Sequence, residues 1–184
     1  MSDANWLWPI DGKSFYDINN NNYLVHIDWS KNSKEDYQKL SQDFFECGYK
    51  ICEKIVDSGH DNIKSDMWFF PTMYLFRHGM ELGLKALICG AISEKRKIQQ
   101  IFLDCKHDLY MLFDAYERET AILLTEEEYG WMKKYLHSLE EVDAKSDFFR
   151  FPLEDEFLLN YQNKFLDIVD MANSMLQAYG IIQK

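Results

Sequence analysis

FFPTMYLFRHGMELGLKALICGAI, residues 69 to 92, is the stretch whose reading decides the fold. Pro71 suits the first helical position, where its missing N–H costs nothing and its φ is already helical. From Met73 on, nearly every residue is apolar or small: Leu75, Phe76, Met80, Leu82, Leu84, Ala86, Leu87 and Ile88 among them. A helix apolar almost all round is a core helix. Charges interrupt it too often for a membrane span, which needs about 20 consecutive apolar residues. Arg77, Glu81 and Lys85 are spaced four apart and stack on one stripe, and His78 borders it. Groups of this kind are costly to bury unless they find partners. The stripe is therefore either a packing device or a site.

Toward the N-terminus, Ser33 reads as an N-cap, with a helix to about Ser58 closed by Gly59. Tyr37, Leu40, Phe44, Cys47, Ile51 and Ile55 keep helical spacing and predict its core face. His60 to Met67 reads as a polar link. Residues 1–33 differ in character: Trp6, Trp8, Phe15, Tyr16, Tyr23 and Trp29 surround an Asn run, which predicts an aromatic arm or short β-hairpin. Such a hairpin is marginal alone and needs a body or a second subunit to pack on.

Toward the C-terminus, Ser93 to Cys105 predicts a short helix carrying the compact basic run Lys95, Arg96 and Lys97. That run is read first as a solvated face and second as a phosphate patch. Lys106-His107-Asp108 opens another helix with Leu109, Leu112, Phe113 and Tyr116 on one face. Thr125 and Glu128 form a capping box for a helix from Glu126 to about Leu139, with Tyr129, Met132, Leu136 and Leu139 inward. Glu140 to Pro152 lacks helical period and reads as a loop, ordered because Phe148, Phe149 and Phe151 need cover. A last helix is predicted from Glu154 to about Tyr179, closed by Gly180, with Phe157, Tyr161, Phe165, Ile168, Met171 or Ala172, and Met175 in phase. The fold class is all-α: an antiparallel bundle of five or six helices, residues 34–184, with the aromatic arm before it.

The 184 residues are enough for one sizeable core. At 47% hydrophobic and 16% aromatic, the composition excludes disorder. A formal charge of −11 argues against a nonspecific nucleic-acid binder. Cys47, Cys52, Cys89 and Cys105 form no C-x-x-C pair and read as reduced, buried thiols of a cytoplasmic protein. No secretory signal or transmembrane stretch is expected. The chain has no P-loop, G-x-G-x-x-G, G-x-S-x-G or H-E-x-x-H, and no DNA-binding motif. Its one His78-x-x-Glu81 pair is the reverse of the di-iron Glu-x-x-His motif, so no metal or cofactor is expected.

Arg77-His78-Gly79-Met80-Glu81-Leu82-Gly83-Leu84-Lys85-Ala86-Leu87-Ile88, followed by Lys106-His107-Asp108-Leu109 and Leu112, resembles the HEPN superfamily of small all-α bundles. Asp143, Ser146 and the run Phe149-Arg150-Phe151-Pro152 resemble a stretch of bacterial relatives. The resemblance implies a helical bundle, often a homodimer. It connects the chain to nucleotide, RNA or protein partners in a toxin–antitoxin or phage-defence setting. HEPN ribonucleases carry an Arg and a His separated by four to six residues. Here Arg77 is directly followed by His78, and neither Arg118 nor Arg150 has a His downstream at that distance. The nuclease signature is therefore not carried over. Arg77, His78, Glu81, Lys85, His107, Asp143 and Arg150 are the candidate ligand contacts, and His78 and His107 the candidate catalytic groups of a divergent, metal-independent ribonuclease. The third reading is a purely structural dimeric bundle in which these groups hold helices in register.

Overall fold

A helix of 30 residues, Asn62–Ala91, is the central element among the described residues and makes the most extensive helix–helix packing of any of them. A computed structural model describes residues 28–59, 61–120, 124–143, 146, 148–150 and 166–184. Among these are six helices and no strand: α1 Ser33–Val56, α2 Asn62–Ala91, α3 Lys95–Cys105, α4 Leu109–Glu119, α5 Glu126–Asp143 and α6 Ile168–Ile182. The fold is an all-α helical bundle. α2 packs most extensively on α1, then on α4 and α6. Of the aromatic arm predicted over residues 1–33, residues 1–27 lie outside the described residues, as do the predicted helical positions Phe157, Tyr161 and Phe165, while Trp29 is exposed. No described helix is long and apolar enough to cross a membrane.

The central helix starts nine residues earlier than its sequence suggests. Asp61 caps it, its Oδ1 accepting from the Ile63 and Lys64 amides at 3.1 and 3.3 Å. Pro71 therefore lies inside the helix rather than at its start. An interior proline costs about 3 kcal/mol, because it removes one backbone bond and crowds the carbonyl four residues back. Trp68, Phe69 and Phe70 pack against the core ahead of it. Full burial of one such side chain contributes about 1.5–3 kcal/mol, so three half-buried ones offset the proline. Thr72 Oγ1 also donates to the Trp68 carbonyl at 2.6 Å, adding a bond within the same turn.

α1 buries mostly the positions one residue after those predicted, Ile55 alone of the predicted face being fully buried. Ser41, Phe45, Gly48, Cys52 and Ile55 are buried, whereas Cys47 is exposed and Tyr37, Leu40, Phe44 and Ile51 are half-buried. The cause is close approach. Ser41 Oγ donates to the Gly79 carbonyl at 2.7 Å. A Cβ on Gly79 would lie 2.6 Å from the Phe45 ring, and one on Gly48 3.1 Å from Phe76. Small residues let the helices meet, and the apolar count misjudges them. The α1 cap is Asn32, one residue before the predicted Ser33, and Gly59 takes the left-handed φ of +68° expected after a helix.

Two helices run further than expected. α5 continues to Asp143, beyond the predicted end at Leu139. α6 begins at Ile168 under an Asp167 cap, so helix does not run continuously from the predicted start at Glu154. It passes through Gly180 because Ile181 and Ile182 are buried, Ile182 lying over Gly83. Ala172 rather than Met171 occupies the core position. The Thr125–Glu128 capping box is present as predicted, with reciprocal bonds of 3.1 and 3.2 Å.

Candidate functional site

The polar stripe of α2 meets two chain turns at its middle. Arg77 and Glu81 are sealed, with side chains 2% and 1% exposed. Arg77 Nε lies 2.8 Å from Asp143 Oδ2. Its Nη2 donates to the main-chain carbonyls of His107 at 2.7 Å and Asp143 at 3.0 Å. The Asp143 carbonyl closes the end of α5, where a helix leaves acceptors unsatisfied, and the His107 carbonyl belongs to the turn between α3 and α4. A guanidinium, planar and with donors in a fixed fork, suits both at once. Burial pulls the Arg77 pKa below its ordinary value, while Asp143 and Glu81 oppose that shift.

Asp143 works in both directions. Its Oδ1 accepts from the Phe148 amide at 3.0 Å, and its carbonyl from the Ser146 amide at 3.2 Å. Ser146 has a φ of 60°, a conformation uncommon outside glycine. Arg150 Nε donates to the Ser146 carbonyl at 2.6 Å. The turn sets Phe149 in the core, edge-on to Phe69, and Phe148 edge-on to Phe70. The predicted loop is thus ordered at these described positions.

Glu81 is the second centre. It accepts from Lys85 Nζ at 2.5 Å and faces His107 Nδ1 at 3.0 and 3.2 Å; Arg77 Nη1 and His78 Nδ1 stand at 3.7 and 3.9 Å. Burial pushes its pKa up, but the Lys85 and His107 contacts outweigh that and hold it below the usual carboxylate range. His78 lies between the stacked ring of Tyr74 and the edge-on ring of Phe44. Burial lowers its pKa, with Lys85, His107 and Arg77 acting in the same sense and Glu81 against.

From these sealed centres the cluster rises to the surface. Lys85 is 13% exposed, His78 26% and His107 51%. Lys106, with a φ of 51°, makes the sharp turn that carries His107 out of α3. Asp108 then caps α4 by accepting from the Met111 amide at 2.8 Å. Arg77 holds the backbone of His107 and Glu81 holds its ring.

Sequence spacing identified the members of this cluster on α2 and at the α3–α4 turn. Arg77, His78, Glu81, Lys85, His107 and Asp143 do come together. Arg150 stands on the same turn as Asp143 and bonds its backbone. Tyr37 and Phe102 were not singled out as site residues, yet they border it. Lys85 Nζ sits 5.5 Å from the Phe102 ring centroid, and Tyr37 packs edge-on to Phe102. Only their aromaticity marked them. The basic run is exposed, with Lys97 paired to Glu119 at 2.5 Å. Comparisons with family models, curated proteins and solved structures find no match. Among the described residues no group of three or more His, Cys, Asp and Glu side chains is placed to hold a metal ion.

Proposed function

We propose that the chain is a HEPN-like bundle that binds an anionic group of a nucleotide or RNA at the surface end of this cluster. The observation that supports the reading is the half-exposed His107 ring, oriented through Nδ1 by the buried Glu81 carboxylate. On this reading the inner groups, Arg77, Glu81 and Asp143, hold the helices, and the outer ones, His107, Lys85 and His78, serve the ligand. Tyr37 and Phe102 supply aromatic surface beside the cationic groups. The resemblance supports a homodimer in a toxin–antitoxin or phage-defence setting and the cysteine reading supports a cytoplasmic one; light scattering on the purified chain tests the dimer.

A carboxylate that orients a histidine is also a general-base arrangement, and this favours the divergent ribonuclease as second reading. Against it, the Arg77 side chain is only 2% exposed, so a phosphate cannot reach its guanidinium.

Titration with a 5′-mononucleotide and with a short single-stranded RNA at low salt separates the readings. Binding weakened about tenfold by His107→Ala, with the RNA intact, supports the binding role. RNA cleaved by wild type and left intact by His107→Ala selects the ribonuclease. Binding unchanged by both His107→Ala and His78→Ala removes the site and leaves the cluster a packing device.

A further inference from the structure

The turn that carries His107 is held in a conformation its sequence does not favour. Lys106 has φ 51° and ψ −106°. Those angles match the first central position of a type II′ turn, about +60° and −120°, where glycine dominates because it has no Cβ. The Asp108 amide closes the turn by donating to the Cys105 carbonyl at 2.9 Å. A lysine in this conformation is strained, and such strain persists only where the surroundings over-determine it.

The Lys106 side chain is exposed, so the hold comes from elsewhere. Arg77 Nη2 donates to the His107 carbonyl at 2.7 Å, from a side chain that is sealed in the core. The same nitrogen donates to the Asp143 carbonyl at 3.0 Å, and Arg77 Nε lies 2.8 Å from Asp143 Oδ2. Asp143 Oδ1 in turn accepts from the Phe148 amide at 3.0 Å. The guanidinium thus ties the strained turn to the end of α5.

From this arrangement we propose that Arg77 and Asp143 are positioning residues, a latch that keeps the Cys105–Asp108 turn strained and His107 in its binding pose. On the reading that His107 binds an anionic ligand, on which this proposal rests, the latch has two states. Latched, the His107 ring lies on Glu81, with Nδ1 at 3.0 and 3.2 Å from the carboxylate oxygens. Released, Lys106 returns to a negative φ, the peptide unit joining it to His107 rotates, and the ring leaves the carboxylate. A ligand that selects the latched form loses affinity in proportion to the fraction of chains released. While the latch is intact, nearly all chains are latched and relief of the strain changes affinity little. Once the latch is removed, the same relief restores the pose.

The test uses the full chain and adenosine 5′-monophosphate. Arg77→Met with Asp143→Asn removes the buried pair from both sides, so neither partner is left as a stranded charge. In the ligand-free protein, exchange of the Asp108 amide is expected to quicken about tenfold in this double variant. Adding Lys106→Gly returns it to within about threefold of wild type, because glycine takes the turn without strain. Binding follows the same order, about tenfold weaker in the double variant and within about threefold of wild type in the triple. Lys106→Gly alone raises the melting temperature and leaves binding as it was. Asp108 exchange that is indifferent to the double variant, or not restored by Lys106→Gly, overturns the latch. So does weaker binding by Lys106→Gly alone, since the lysine would then be a ligand contact. If the double variant does not fold, Lys106→Gly alone decides: a melting temperature unchanged or lowered removes the strain on which the latch depends. Exchange in the expected order, without any binding that His107→Ala weakens, defeats the anion-binding reading instead and leaves the latch with no ligand to serve.

Discussion

Arg77 touches two carboxylates and two main-chain carbonyls while almost wholly buried, so its removal strands more than its own charge. Breaking a buried pair from one side costs about 3–5 kcal/mol, because the remaining charge stays uncompensated. Arg77→Ala is expected to lose stability of that order in urea unfolding. Arg77→Lys keeps the charge but not the fork, and is expected to recover less than half of the loss. His78 makes a second prediction at this scale. Its folded pKa is depressed, chiefly by burial. A depressed group contributes stability that is present above its unfolded pKa, about 6.5, and is lost as pH falls toward the folded value. The melting temperature should therefore drop as pH falls from about 6.5, and His78→Phe should flatten that part of the profile. The Glu81 contribution has the same sign but a lower window, fully present above about pH 4.3 and lost below it as the carboxylate protonates.

At the scale of elements, the α1–α2 contact depends on residues without bulk. Gly79 and Gly83 sit one turn apart on α2 and both lie against Ser41, but the atom nearest to each differs. An added methyl at Gly79 meets the Phe45 ring, which is itself stacked on Tyr179 at 3.8 Å between centroids, and the Ser41 carbonyl oxygen at 3.2 Å. At Gly83 the closest atom is Cδ1 of Ile182, the far end of a flexible side chain in the last turn of α6. Overpacking costs about 1–3 kcal/mol when the neighbour cannot move. Gly79→Ala is expected to destabilise by that amount and Gly83→Ala by less, as read from thermal unfolding. The predicted face of α1 missed this because it counted apolar side chains. Ser41 and Gly48 are invisible to such a count, yet they set the helix rotation. By contrast α4 buries Leu109, Leu112 and Phe113 as their spacing says, because no close backbone approach competes there.

Over the whole molecule, the ion cluster links parts of the chain far apart in sequence. Arg77 reaches the α3–α4 turn through His107 and the end of α5 through Asp143, 30 and 66 residues away. The Phe148–Phe149 turn depends on the same aspartate. Asp143→Ala should therefore lower hydrogen-exchange protection of the Phe148 amide and the last turn of α5 well before that of the α1–α2 interface. Equal loss across all helices would show that the turn has no local stability of its own.

The all-α class, the central apolar helix, the Thr125–Glu128 cap and the membership of the Arg77–Glu81–His107 cluster were decided by the sequence alone. Each rests on a periodicity or a short-range bond that a few neighbouring residues determine. Tertiary structure decided where the central helix begins, which face α1 buries, and how far α5 and α6 run. Those depend on burial against partners distant in the chain, which outweighs a proline at position 71 and a glycine at position 180. It also divided the polar stripe into a sealed half and an open one. Spacing places Arg77, Glu81 and Lys85 on one line of a helix, but only the turns packed over that line determine which end reaches water.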